Sequence, residues 1–433
     1  MPVLHPDRAA LHNEIHARPP DALASRVSVF HLVMLADEAE RRRSREHLDR
    51  LLAEFHAPRP AADAIHFRVD LPRFRVRWEL HTEFVTWSFS RVLDPHFAVL
   101  EPIASARDSV PREWLAELPG QALCQIELLA IPLAVMRERI PERALFDEAT
   151  LVGARVLGDQ AEVLTDFQIH ADGSSRFLVG MAPSMPPRQR GRLVQSLLEV
   201  ETYRMAGLLG LPLAREAGPI LGQAERELAA LAEAIQRADP EGEAALLDRL
   251  TRLAAAVESL YANTHSRFTA TAAYFELVDK RLAFLGETKL GTLPTLGAFV
   301  ERRLSPARST CAWTMHRQDM LSQRVSRVSN LLRTRVEIDQ QRSSRELLAA
   351  MNARQDMQLK LQTTVEGLSV AAITYYIVGL MAYAVEALVP LGWPLSAKLT
   401  AAVAIPFVAG GVWWSIRRLH HRLLDRSLQG NAE

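Results

Sequence analysis

The chain has 433 residues, enough for two or three folding units at about 100–200 residues per domain. Lys and Arg total 51 and Asp and Glu total 51, so the formal net charge is zero. Because DNA and RNA are bound mainly by Lys and Arg against phosphate, this balance argues against a nucleic-acid partner. Cys124 and Cys311 lie far apart, which excludes a disulfide framework and a paired-cysteine zinc site.

Residues 1–186 alternate β-rich runs with turn signals and predict a cytoplasmic α/β sheet domain, so that the fold class is α+β with a mostly antiparallel sheet. A helix is expected at residues 37–55, where three consecutive arginines from Arg41 are typical of a solvated helix face. The predicted strands are residues 28–35, 65–69, 73–80, 83–89, 122–131, 151–157, 162–170 and 176–179.

From residue 187 the pattern becomes helical. Residues 187–305 predict a helical bundle, in which helix 189–209 is closed by Gly210 and Pro212 and an acidic helical pair follows at 223–238 and 241–261. No proline occurs between Pro306 and Pro390, which permits one helix from about Ser309 through a stalk at residues 306–367. The narrow apolar stripe of this stalk predicts association with copies of the same chain.

Two apolar stretches near the end of the sequence predict a transmembrane hairpin. Residues 368–389 carry a single charge, Glu386, and are long enough to cross a hydrocarbon core of about 30 Å. Residues 400–416 form the second span, after a short extracytoplasmic loop at 390–399 with helix-breaking prolines. The basic tail at 417–433 begins with Arg417 and Arg418, and the excess of positive charge places it in the cytoplasm together with the N-terminus.

Few motifs point to chemistry. His12 and His16 are four residues apart, a spacing that places two histidines on one helix face and suits a metal such as zinc. The metalloprotease pattern needs Glu directly after the first His, and here Glu14 comes two residues later. The sequence has no phosphate-binding loop, no GxGxxG and no GxSxG, so we expect no enzyme activity. A membrane-tethered metalloenzyme using the two histidines stays an alternative.

Polar residues in and before the first span are candidates for a pore, because such groups are costly in lipid unless they face protein or water. Thr364 and Thr374 belong to one stripe of small and hydroxyl-bearing residues. Glu386, near the outer end of the span, is expected on the opposite helical face together with Tyr376 and Tyr383. Plain packing between helices explains the same stripe without a pore.

The opening LHNEIHARPPDAL (residues 11–23) and the stretch at residues 333–380 resemble a bacterial family of predicted membrane-anchored proteins of unknown function. The resemblance covers essentially the whole chain and implies a location, the bacterial inner membrane with its lipid, but no activity.

The order of a mixed domain, an acidic helical pair, a long stalk helix, two spans and a basic tail resembles the CorA-type divalent-metal channels. That resemblance implies a homo-oligomer, with a pentamer as the expected number, and a divalent cation such as magnesium as cargo. It implies pore positions at Tyr375 and Thr364, beside Thr374 and Glu386 from the reasoning above. The Gly-Met-Asn signature of those channels is missing near Ala382. Two functions therefore stay open, a cation channel and a membrane-anchored scaffold or sensor without transport.

Overall fold

The computed structural model describes residues 4–6, 8, 12, 20–94, 105–139, 145–237, 240–388 and 396–429. The chain divides into two compact units. The first comprises Met1–Ala238 and Ala245–Asn330, and the second comprises Asp239–Ala244 and Leu331–Glu433.

The first unit contains one nine-stranded sheet in the described part of the chain, with strand order β2-β3-β4-β1-β5-β8-β7-β6-β9. The pairs are antiparallel except for β5 with β8, which confirms the expected α+β class and mostly antiparallel sheet. The strands are β1 Val27–Leu35, β2 His66–Asp70, β3 Arg75–Leu80, β4 Phe84–Val92, β5 Gln121–Pro132, β6 Val152–Val156, β7 Ala161–Thr165, β8 Ser175–Met181 and β9 Thr288–Lys289.

Eight α-helices are described. Three short or medium helices lie among the first eight strands, and five follow β8, with β9 between the third and fourth of these five. They are α1 Glu38–Glu54, α2 Arg112–Ala116, α3 Leu133–Arg139, α4 Pro187–Leu208, α5 Gly210–Arg237, α6 Pro240–Leu285, α7 Leu296–Leu388 and α8 Ala397–Gln429.

One face of the sheet packs on α1. This helix begins with a capping box, in which the Asp37 carboxylate accepts from the Glu40 amide at 2.7 Å and the Glu40 carboxylate accepts from the Asp37 amide at 2.9 Å. Because side chains alternate along a strand, β3 and β4 turn Trp78 and Trp87 into this core, where both are fully buried beside Leu48 of α1.

The arginines of α1 have a structural role that charge patterning did not reveal. Arg41 donates to the backbone carbonyls of His81 and Thr82, at 3.2 and 2.8 Å, and so ties α1 to the β3–β4 turn. Arg45 donates to carbonyls of the loop that follows α1, including that of Ala64. Arg41 and Arg45 therefore supply side-chain hydrogen bonds to backbone carbonyls of the turn and the loop.

The other face of the sheet packs on α4, whose Leu193 and Leu197 share a core with Ile126 of β5. Gly191 lies where residues 20–24 cross this helix, since a Cβ atom there would stand 1.6 Å from the Asp21 carbonyl oxygen. Only glycine allows that close approach.

Three helix boundaries differ from those predicted. Helix α5 begins at Gly210, directly after α4, and includes Pro219, whereas Gly210 and Pro212 were expected to end helical structure before residue 223. Helix α6 continues to Leu285 instead of ending near residue 261, because it buries Phe268 and Phe275.

Helix α7 begins at Leu296 and contains Pro306, whereas Pro306 was expected to precede it. The N-terminal part of α7 packs Val300 and Leu304 against Phe275 of α6, and Arg308 forms a two-point ion pair with Asp279 at 2.9 Å. This packing offsets the backbone hydrogen bond that proline cannot donate.

In the second unit, α7 and α8 each contain a stretch long and apolar enough to cross a membrane. The structure therefore has an α+β sheet domain, long helices and a C-terminal helix pair that could span a membrane. Thr374 and Val378 of α7 are buried. On α8 the half-buried side chains also follow one face, as expected for two spans that pack on each other; they are Ala401, Ala404, Val408, Val412 and Ile416.

Candidate functional site

A small cleft lies in the first unit between the β3–β4 half of the sheet and helix α4, with a cavity volume of about 70 Å³. Small-molecule sites usually measure about 300–1,000 Å³, so this cleft admits only a small group. Its floor comes from β1, β3 and β4, its roof from α4, and one end from the segment that contains Asp21. The apolar core shared by α4 and β5 continues to the edge of the cleft, where Val29, Val194 and Leu198 line it.

The strand register brings a row of polar side chains onto the floor. Arg77 of β3 pairs with Ser88 of β4, and Ser88 pairs in turn with His31 of β1. The next row contains Glu79 opposite Thr86. Alternation along β3 explains the arrangement, since residues 75, 77 and 79 point toward α4 while residues 76, 78 and 80 point toward α1.

His31 is buried and hydrogen-bonded at both ring nitrogens. Its Nδ1 lies 2.7 Å from Ser88 Oγ, and its Nε2 lies 3.4 Å from Thr202 Oγ1 on α4. The Thr202 hydroxyl donates its one proton to the Leu198 carbonyl at 2.8 Å, so it can only accept from His31. The His31 proton is therefore on Nε2, and the Ser88 hydroxyl donates to Nδ1.

Burial lowers the pKa of His31 to about 4, because imidazolium is costly to place away from water. The Glu79 carboxylate acts in the opposite direction, and the charges of His81 and Arg77 lower the pKa further. His31 is consequently neutral at pH 7, with a lone pair on Nδ1 directed at Ser88.

The charged side chains of the cleft form ion pairs within the protein. Arg77 donates to Glu79 from Nε and Nη2, at 3.1 and 2.7 Å. Asp21 lies 3.7 Å from Arg77 and accepts from Arg68 at 2.6 Å. On the roof, Glu199 accepts from Arg281 of α6. The pairs hold the side chains in fixed positions, and opposite charges next to each other keep the cleft close to electrical neutrality.

This site was missed from sequence, because its residues come from separate elements and 171 positions separate His31 from Thr202. Two local signals were present. His31 interrupts the apolar run SVFHLVML, and β3 places three charges on one face of a strand that buries its other face. Polar groups at such positions indicate either a buried network or a cleft.

The pore candidates lie on the second unit's part of α7. Thr364, Tyr375 and Glu386 are exposed and spaced eleven residues apart, about three helical turns, so they share one face. Thr374 lies elsewhere: it is buried, and its hydroxyl donates to the Val370 carbonyl at 2.6 Å. Three of the four candidates thus share one face at intervals of about 16 Å along the helix, whereas Glu386 was expected on the face opposite Thr364. Thr374 belongs to the face that the chain itself covers.

The predicted histidine pair cannot be placed. His12 is described, but His16 lies outside the described residues. In the part of the chain that the structure describes, no three His, Cys, Asp or Glu side chains are grouped to hold a metal ion. The histidine pair stays a prediction.

A family model described as "Protein of unknown function (DUF3422)" matches residues 4–423. The chain belongs to the DUF3422 family. Membership confirms the resemblance to an uncharacterised family that was seen at residues 11–23 and 333–380. No curated protein and no solved structure matches this DUF3422 chain. The likeness to CorA-type channels therefore stays a resemblance of element order.

Proposed function

We propose that this DUF3422 protein is a membrane-anchored homo-oligomer that conducts or gates a cation. The observation that carries the proposal is the shared, uncovered face of Thr364, Tyr375 and Glu386 on the first span. A hairpin of two helices cannot enclose a pore alone, so conduction requires several copies, each presenting this face to the centre. Magnesium is the first ion to test, and five copies are the expected number.

Exposed apolar side chains on α7 ahead of the membrane support self-association. Leu347, Met351, Leu361 and Val365 are each more than half exposed in the single chain. Large apolar side chains at helical spacing on a water-exposed helix favour burial against a partner helix. A second copy offers the same face, as in a coiled coil.

The proposed orientation places the sheet domain and the basic end of α8 in the cytoplasm of a bacterial inner membrane. Arg417 and Arg418 stack over the rings of Trp413 and Trp414, both at 4.9 Å, at the end of the second span. Tryptophan and arginine at such a position are typical of the membrane–water interface, and a basic end favours the cytoplasmic side.

The test begins with the molar mass of the detergent-purified complex by light scattering. Five copies support the proposal, whereas a monomer or a dimer contradicts it because no continuous pore can form. The complex is then placed in liposomes that contain a magnesium-sensitive dye. Glu386→Gln should lower the magnesium influx about tenfold, because it removes the ring of charge that concentrates cations. Unchanged flux would remove that role.

Tyr375 and Tyr376 provide a matched pair, since they are adjacent, both exposed, and point about 100° apart on the helix. Tyr375→Phe should change the flux, and Tyr376→Phe should leave it at the wild-type level. Equal effects of the two substitutions would show that the face was assigned incorrectly.

A membrane-anchored scaffold or sensor without transport is the second candidate, and the cleft of the sheet domain is the observation that favours it. A folded domain with a polar cleft could respond to a very small ligand without any pore. This function predicts no metal-dependent flux from a complex of any size.

A further inference from the structure

Ser88 and His31 have the geometry of a nucleophile and its base. Ser88 Oγ and His31 Nδ1 lie 2.7 Å apart, and the tautomer inferred above makes the Ser88 hydroxyl the donor. Thr202 holds the opposite nitrogen and so fixes the tautomer that accepts this proton. Serine is activated for covalent catalysis when its hydroxyl is hydrogen-bonded to a base and a third group orients that base.

We propose that Ser88 is the nucleophile of an acyl-transfer site and that His31 is its general base. Both residues line the cleft, so a substrate in that space can reach them. The site lies in the first unit and does not depend on the proposed conduction.

Arg77 is the cation nearest to Ser88 across the sheet, because the two residues are direct partners in the β3–β4 register. Directly opposite side chains have Cβ atoms about 4.5–5.5 Å apart. The ion pairs with Glu79 and Asp21 hold its guanidinium at the cleft wall. A fixed cation there can stabilise the negative charge that develops on a carbonyl oxygen under attack.

The apolar part of the cleft indicates the substrate class. Val29, Phe84, Val194 and Leu198 line it beside Ser88 and are buried. The cavity volume of about 70 Å³ admits an apolar acyl group of only a few carbons. A charged acyl group would lose its hydration without gaining a partner. The substrate is therefore a small ester of a short-chain carboxylic acid.

The step balances without a further reactant except water. Ser88 Oγ forms a bond with the acyl carbon while its proton passes to His31 Nδ1. The alcohol leaves and takes that proton from His31. Water then attacks the acyl group on Ser88, with His31 accepting its proton and returning it to Ser88, which releases the carboxylic acid.

The experiment treats the full-length protein in detergent with a small alkyl fluorophosphonate, which phosphonylates activated serines with loss of fluoride. Mass spectrometry of the digested protein should locate one adduct at Ser88. Ser88→Ala should lower the labelling rate at least about 100-fold, and His31→Gln should lower it by about the same factor because the base is lost. The native protein should also hydrolyse p-nitrophenyl butyrate faster than the Ser88→Ala variant.

Ser90 supplies the matched control. It lies on the same face of β4 but pairs with Val29 instead of His31, so Ser90→Ala should retain the wild-type labelling rate. Heat-unfolded wild-type protein should not be labelled, which shows that the fold creates the reactivity. An unlabelled native protein, or an adduct at another serine, overturns the proposal even if a variant fails to fold, because the adduct is mapped on the wild-type chain.

Discussion

The sheet domain and the exposed part of α7 place similar apolar side chains in opposite situations. Trp78 and Trp87 lie fully inside the domain, whereas Leu361 and Val365 are more than half exposed on the helix. The domain buries its large side chains within one chain. The helix buries few of its own before and within the first span, so its partner must be lipid or another chain.

The polar groups of the two regions differ in the same way. In the cleft, Arg77 pairs with Asp21, and His31 is hydrogen-bonded to Ser88 and Thr202, all from other parts of the chain. On α7, the hydroxyls of Thr363 and Thr364 donate to carbonyls one turn earlier, both at 2.8 Å. Tertiary structure therefore determines the geometry of the cleft, while the geometry of α7 follows from the helix alone.

The largest expected effect comes from replacing a large apolar side chain by alanine in each of the two regions. Trp87→Ala removes a buried ring that packs edge-on against Trp114 at 5.2 Å, and should lower the free energy of unfolding by about 3–5 kcal/mol. Leu361→Ala should leave this free energy unchanged and should lower the molar mass of the complex in detergent. Urea unfolding followed by tryptophan fluorescence measures the first effect, and light scattering measures the second. A Leu361→Ala variant that destabilises the sheet domain would abolish the distinction.

The next effect compares two helical glycines. Gly191→Ala places a methyl group 1.6 Å from the Asp21 carbonyl oxygen and should lower the free energy of unfolding by about 2–3 kcal/mol. Gly222→Ala meets no atom closer than 3.6 Å and should raise it by up to about 1 kcal/mol, since alanine favours helix. Thermal unfolding of both variants measures the difference. Equal stability would mean that residues 20–24 do not cross α4 closely.

The smallest effect concerns pH. Burial raises the pKa of Glu127 from its ordinary 4.5 to about 7, partly opposed by the hydrogen bond from Ser105. The folded state then binds the proton more tightly than the unfolded state, so stability falls as pH rises from about 4.5 to about 7. Glu127→Gln should be more stable than wild type by about 1–2 kcal/mol at pH 8, with less difference at pH 5. Urea unfolding at both pH values tests this, and a constant difference would contradict it.

Much of the fold was predictable because its signals are local. The eight longer strands lie where apolar and β-branched runs predicted them, with most boundaries within about two residues. The single parallel pair, β5 with β8, has no local signal, because the connection that allows it depends on how distant segments pack. At Pro306 the local signal is strong but the prediction is wrong. Proline predicts that the helix begins after it, whereas the packing of Val300 and Leu304 keeps the preceding residues helical.

The site was less predictable than the fold. The expectation of no enzyme chemistry came from the absence of contiguous motifs, and a pair such as Ser88 with His31 is invisible to such motifs because 57 residues separate them. The pore candidates are different: Thr364, Tyr375 and Glu386 lie on one helix, where an eleven-residue spacing corresponds to about three turns. The prediction nevertheless placed Glu386 on the face opposite Thr364, because it grouped Glu386 with Tyr376 and Tyr383. The sequence could not predict whether the shared face is exposed, since its exposure depends on which side of α7 is covered by α8.

The alternation of side chains along β3 requires a fixed strand register. Along this strand, the charged side chains of Arg75, Arg77 and Glu79 face α4 and the cleft. Val76 and Trp78 between them face the core beneath α1. A register slip of a single position would turn the charges into the aromatic core and the tryptophan into the cleft, so every contact of the strand would fail at once. The β3–β4 hairpin should therefore reject insertions of one residue, and length changes that persist through evolution should fall in the loops on either side of it.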